Sequence, residues 1–146
     1  MTFQTIYIDE AIFNEIIDIA INNDEEVCGI LTGKELHKQV AIADKLIQIE
    51  NVSKQHKQVD YVMNPNQLMK ELSKTSFIDK NSNIDWVCIW HSHPNGFAIP
   101  SGIDLERAEY NVVYLIYGVA EDRIRCWSYD KEHNDFYEID LHIVEG

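Results

Sequence analysis

The chain has 146 residues, 45% of them hydrophobic, and a formal net charge of -13. That length suits one domain, 1-146, with a single core, and the acidity argues against nucleic acid as a partner, since phosphate contacts need clustered lysine and arginine. No apolar run nears the roughly 20 residues needed to span a membrane, and Met1-Thr2-Phe3-Gln4 lacks the basic and then apolar layout of a signal peptide, so the chain reads as cytoplasmic, with no membrane contact.

Phe3 to Ile8 reads as a short strand, and Asp9 as the cap of a helix from Glu10 to about Asn22. Ile12, Phe13, Ile16, Ile17, Ala20 and Ile21 recur there at helical spacing. Val27 to Gly33 predicts a buried strand whose glycines allow close backbone packing. Gln39 to Val52 predicts a long strand, Ser53 to Gln58 a polar loop, and Asp60 to Met63 another short strand. Pro65 suits the first turn of a helix reaching about Lys74. After a loop from Ser76 to Asp85, Trp86 to His93 predicts a strand and Gly102 to Tyr110 a helix. Val112 to Val119, Arg123 to Tyr129 and Asp135 to Ile143 complete the strands. The pattern predicts an α/β (α+β) fold, a mixed β-sheet flanked by helices.

The chemistry concentrates in His91-Ser92-His93 and in Ser101-Gly102-Ile103-Asp104. On an extended chain, residues i and i+2 face the same side. A strand ending at His93 therefore aims both imidazoles at one point, as two ligands of one divalent metal must be aimed. Asp104 can add an oxygen ligand from the start of the next element. Two histidines and a carboxylate leave tetrahedral zinc one open position, which marks a catalytic site rather than a structural one. A His-x-His pair alone is weak evidence, and Ser101-x-x-Asp104 also reads as a helix cap. The two readings are compatible, because a cap can fix the helix that presents Asp104.

The three cysteines, Cys28, Cys88 and Cys126, form no Cys-x-x-Cys pair and read as small buried hydrophobes. His37, His56, His133 and His142 share no ligand spacing and read as surface or loop residues. Trp86 and Trp90, at i and i+4 of one strand, are expected to share a face and pack in the core.

His91-x-His93, seven residues, Ser101, two residues and Asp104 resemble the signature of the JAMM/MPN+ (JAB-domain) metalloproteases. That signature also has an upstream glutamate before a Cys-Gly-aliphatic strand, and Glu26-Val27-Cys28-Gly29-Ile30-Leu31 matches it in register. The resemblance covers nearly the whole chain. It implies an MPN/cytidine-deaminase-like sandwich holding one Zn2+ on His91, His93 and Asp104. It also implies Glu26 as general base and proton shuttle, and Ser101 as hydrogen-bond donor to the oxyanion or the catalytic water. Register alone selects Glu26 over Glu25, and either could otherwise be a solvated acidic turn. Zinc would lower the pKa of water from about 15.7 to about 7, giving a nucleophile for amide hydrolysis.

Family members of this size include bacterial and archaeal enzymes that act on ubiquitin-like or sulfur-carrier proteins ending in Gly-Gly. Some work beside E1- and E2-like enzymes encoded in one operon, including antiphage defence systems. The resemblance therefore implies a processing or deconjugating peptidase, with no room between Tyr110 and Val112 for a linkage-selecting insertion. The alternatives are a catalytically silent MPN-type binding scaffold and a phage-tail or cell-wall metallopeptidase. A DNA-repair relative suits neither the length nor the charge. A cysteine hydrolase using Cys28 or Cys88 is disfavoured, because both lie within strands.

Overall fold

The computed structural model describes residues 3–54 and 56–145. Asp9 ends β1 (Thr5–Asp9) and caps α1 (Glu10–Ile21) by accepting the Ala11 N–H at 2.8 Å. β2 (Cys28–His37) and β3 (Val40–Ile49) then form a hairpin that turns at Gln39, whose φ is 70°. Asn64 caps α2 (Pro65–Leu72), with proline in the first turn as expected. β4 (Asp85–His93) leads through a loop to α3 (Gly102–Arg107) and to β5 (Val113–Gly118), which pairs with β4 in parallel. β6 (Arg123–Asp130) and β7 (Asp135–Val144) extend the sheet antiparallel.

The strand order is β1-β3-β2-β4-β5-β6-β7, and β1 pairs in parallel with both β3 and β7, so the sheet closes on itself. The mixed sheet with helices packed on it is the expected α+β arrangement. Its closure depends on β1 finding partners on both flanks, which no local pattern encodes. No helix among the described residues is long and apolar enough to cross a membrane.

Two cores lie on the two faces of this sheet. The inner core collects Ile12, Ile16 and Ala20 of α1 with side chains from every strand, including Ile6, Leu31, Ala41, Val87, Leu115, Cys126 and Ile139. The outer core holds Ile30, Ile89 and Tyr114 under Leu72 of α2, with Leu105 of α3 packed against it. Ile16 is fully buried, and a side chain of that size stabilises the fold by about 1.5–3 kcal/mol. Gly29 of β2 lies so close to Ile47 O and the Trp90 indole that a Cβ could not fit. Here the Cys-Gly pair serves backbone packing, as its sequence suggests.

Three expectations are corrected. Asp60 to Met63 forms no strand, only the isolated bridge Asn51–Met63, because the Asn51 side chain takes the Val62 N–H and the Asp60 carbonyl. The helix expected to reach Tyr110 stops at Arg107, where Ala108 turns extended and the Tyr114 hydroxyl accepts the Glu109 and Tyr110 N–H groups. Trp86 and Trp90 lie in opposite cores. Leu31 pairs with Cys88 but Thr32 pairs with Trp86, which leaves Val87 as an extra residue. That bulge reverses the alternation upstream of it.

Candidate metal centre

Downstream of the bulge, β4 alternates regularly. Ile89 faces the outer core and Trp90 the inner one. His91 and His93 therefore share the outer face at the carboxyl end of the strand, as their spacing predicts. Ser92 points the other way, and its Oγ accepts the Val27 N–H at 3.0 Å. Its own N–H donates to Val27 O at 3.0 Å. The residue between the histidines thus pins the chain just after Glu26 to β4.

Asp104 arrives from α3. Ser101 Oγ accepts the Asp104 N–H at 3.1 Å and Asp104 Oδ2 accepts the Ser101 N–H at 2.9 Å, a reciprocal capping box. The cap reading of Ser101-x-x-Asp104 holds, and the box orients the carboxylate towards the histidines, where it could ligate an ion. His91 Nε2 lies 3.1 Å from Asp104 Oδ1, His93 Nε2 2.9 Å from Asp104 Oδ2, and the two Nε2 atoms 3.2 Å apart. Glu26 joins them, with ligand atoms of all four residues within 4.8 Å of one another. Glu26 is 3% exposed, whereas Glu25 is exposed.

The donor set fits a divalent ion. Donors about 2.1 Å from a tetrahedral zinc lie roughly 3.4 Å apart, slightly wider than the spacing here. The proton inventory points the same way. Phe97 O lies 2.7 Å from His93 Nδ1, and a carbonyl only accepts, so Nδ1 carries the hydrogen. A neutral His93 then aims an Nε2 lone pair at a carboxylate, which only a proton or a metal cation can reconcile. Glu26 Oε1 and His91 Nδ1 are buried and have no hydrogen-bond partner among the described residues. Tyr61 stacks on the His91 ring at 4.4 Å between centroids.

Burial pushes the Glu26 carboxyl up to about 8; His93 works against this, and Asp104 and Asp60 add to it. A divalent cation in the cluster would draw it back down. Burial also opposes ionisation of Asp104, yet the two imidazoles and the Ser101 N–H hold its carboxyl well below the usual carboxylate range. Burial disfavours the charged form of His93, but the Asp104 carboxylate and the Phe97 carbonyl outweigh it and raise its proton affinity.

A cavity of about 210 Å³ opens beside the cluster, lined by Glu26, Gln58, Val59, His93, Asn95, Gly96 and Ser101 among others. The Ser101 hydroxyl oxygen accepts the Asp104 N–H, which leaves its hydrogen free to donate into this space. Ser101→Ala should therefore cost about 0.5–2 kcal/mol in the cap and lower kcat by about 10²–10³ through the lost donor. Melting curves and turnover of one preparation check both numbers, and an unchanged kcat would reduce Ser101 to a cap.

All five residues singled out in the sequence, Glu26, His91, His93, Ser101 and Asp104, meet at this centre. The other histidines are exposed and outside it. Of them, His133 alone joins a further acidic grouping among the described residues, with Asp130 and Glu132 on the β6–β7 turn. There Asp130 Oδ1 is occupied by the Glu132 and His133 N–H groups. The three cysteines are buried and unpaired, and burial raises the Cys28 thiol to about 12. Sequence reasoning missed Phe97, which acts through a backbone carbonyl and so has no side-chain signature, and Tyr61 and Val59, which lie in an irregular connection.

Comparison with known proteins agrees with this geometry. Residues 9–130 match the family described as prokaryotic homologs of the JAB domain. A desampylase of Pyrococcus furiosus is 28% identical over 146 residues, covering 99% of this chain and 94% of its own. A probable TtuB-protein conjugate cleaving protease of Thermus thermophilus is 34% identical over 67 residues, 46% of this chain and 41% of its own. The solution structure of a Desulfitobacterium hafniense protein superposes with a TM-score of 0.79 at 20% identity, covering 97% of this chain and 94% of that one. A JAB1/MPN domain protein from Archaeoglobus fulgidus gives 0.59 at 17% identity, covering 96% and 97%. A match over most of the chain, with the buried Glu-His-His-Asp cluster inside it, places this protein among the prokaryotic homologs of the JAB domain, as a JAB-type hydrolase.

Proposed function

We propose that this chain is a zinc-dependent peptidase or isopeptidase that hydrolyses the amide bond after the C-terminal Gly-Gly of a ubiquitin-like or sulfur-carrier modifier. The observation that carries this reading is the convergence of His91, His93 and Asp104 at 2.9–3.2 Å beside a Glu26 carboxylate oxygen that has no hydrogen-bond partner among the described residues. His91, His93 and Asp104 would hold the ion, one per chain. When bound, the ion supplies Lewis acidity and a nucleophilic water at neutral pH. The Glu26 carboxylate would take a proton from the attacking water and deliver it to the leaving nitrogen. Ser101 donates its free hydrogen to the developing oxyanion.

The desampylase and the conjugate-cleaving protease among the relatives support a modifier conjugate as substrate. The site's own shape supports a diglycine tail. β4 is paired on both sides, by β2 and β5, so an extended peptide must lie against the flanking loops. Trp90 faces the inner core and forms no part of the wall beside the reacting bond. The near walls are His93, Gly96 and Ser101 on one side and Gln58 and Val59 on the other. Residues without a side chain pass such a slot with least displacement. E1- and E2-like enzymes that attach the modifier are the proposed partners, in the cytoplasm.

The test is a modifier-reporter fusion cut after its last glycine, compared with a parallel fusion carrying valine there. Near-stoichiometric zinc, cleavage of the glycine fusion alone, loss of cleavage with a chelator and resistance to thiol alkylation are the expected results. Full activity of metal-free protein would overturn the metal reading, and equal cleavage of both fusions the slot argument. Tight binding of the modifier without cleavage would favour a binding scaffold.

A further inference from the structure

Glu26 lies two residues before β2 begins at Cys28, so the sheet does not hold it. Its carboxylate is not held either, since Oε1 has no hydrogen-bond partner among the described residues. Where that carboxylate sits is therefore decided by the backbone. On the C-terminal side, Val27 is bonded twice to Ser92. On the N-terminal side, the Glu26 N–H donates to Lys57 O at 2.6 Å, and its carbonyl accepts from Asn51 Nδ2 at 3.0 Å. The same Nδ2 donates to Asp60 O at 3.1 Å, and Asn51 Oδ1 accepts the Ser53 and Val62 N–H groups, each at 3.0 Å. A primary amide offers two hydrogens and two lone pairs, and Asn51 uses all four.

We propose that Asn51 is a positioning residue. It fixes the Glu26 peptide so that the carboxylate stands over the His91–His93–Asp104 cluster, and it ties that placement to the connection carrying Gln58 and Val59, one wall of the cavity. The two services are inseparable because one amide group performs both. Substrate that presses on Val59 thus meets a wall braced against the same side chain that sets Glu26. A displacement of about 1 Å in a reacting group costs on the order of 10²-fold in rate, so a side chain that touches no substrate can govern kcat.

The inference rests on the reading of Glu26 as proton carrier. Asn51→Asp is the informative substitution. It keeps an oxygen to accept the Ser53 and Val62 N–H groups, but it turns an oxygen, in place of the amide hydrogens, towards the Glu26 and Asp60 carbonyls. With the zinc-loaded enzyme and the diglycine fusion, kcat should fall by about 10–100-fold, with KM within about twofold and metal content unchanged. In metal-free protein, amide hydrogen exchange at Glu26 should accelerate while β4 keeps its protection. In a Glu26→Gln background, Asn51→Asp should add little, because both changes act through one group.

Unchanged kcat, an equal fold-loss with and without Glu26→Gln, or unaltered exchange at Glu26 would each overturn the proposal. If Asn51→Asp does not fold, Asn51→Ala reads the same quantities without the oxygen–oxygen repulsion. Should Glu26→Gln itself turn over normally, the proton-carrier reading fails, and the exchange measurement still decides whether Asn51 holds Glu26.

Discussion

Glu26→Gln is expected to keep its metal and lose turnover by about 10²–10⁴. Glutamine matches the side chain in shape and can fill the same buried space, but it cannot carry a proton from water to a leaving amine. Glu25→Gln should be mild, because Glu25 is exposed while Glu26 is 3% exposed. A second signature follows in the metal-free protein. Burial raises the Glu26 carboxyl from 4.5 to about 8, so the folded state holds its proton where the unfolded chain has released it. The stability that the neutral carboxyl gives is complete below the unfolded value and is lost as pH rises through the folded one. Metal-free Glu26→Gln should therefore melt above metal-free wild type near pH 8, with the gap closing towards pH 4.5. Elemental analysis, turnover and melting at two pH values check these outcomes. A reversed pattern between Glu25 and Glu26 would mean the catalytic register is wrong by one.

What could be read in the chain was whatever is local. The α1 stripe and its Asp9 cap, Pro65 at the start of α2, and the two-residue period that aims His91 and His93 together all depend on neighbours within a few positions. Asp104 was legible twice over, as a capping residue and as a candidate ligand, because both roles ask for a carboxylate three residues after Ser101. Glu26 was different. Its distance in sequence from His91 carries no information by itself, and only the family resemblance singled it out. The Val87 bulge was invisible because it is a property of the pairing between β2 and β4, and it sent Trp86 and Trp90 to opposite cores. The hold of Phe97 on His93 runs through a backbone oxygen, which every residue possesses. Asn51 fell inside the strand expected from Gln39 to Val52, where an asparagine side chain has no signature of its own, but β3 ends at Ile49 and the amide bonds four backbone groups beyond it.

Asp104→Asn is expected to empty the metal site and abolish turnover while leaving the fold intact. The substitution keeps the size of a 6% exposed side chain and can still accept the Ser101 N–H, while its backbone N–H still donates to Ser101 Oγ, so α3 keeps its capping box. It removes the carboxylate in contact with both imidazoles, and with it charge that offsets a buried divalent cation. One amide nitrogen would also point a hydrogen where Oδ1 or Oδ2 now faces an imidazole. Losing Lewis acidity worth several kcal/mol corresponds to a fall of about 10³ or more in rate. The fold should lose only about 1–3 kcal/mol, the cost of a disturbed buried hydrogen bond. Asp104→Ala makes the contrast, since it also removes the acceptor of the Ser101 N–H and leaves only the Ser101 Oγ half of the capping box, so it should melt lower than Asp104→Asn with the same empty site. Elemental analysis after dialysis, circular dichroism and fusion cleavage separate these effects. Asp104→Asn protein that retains stoichiometric metal and turns over normally would show that Asp104 orients α3 and the histidines without being a ligand. The ion would then have to be held by His91, His93 and Glu26, leaving the base unassigned.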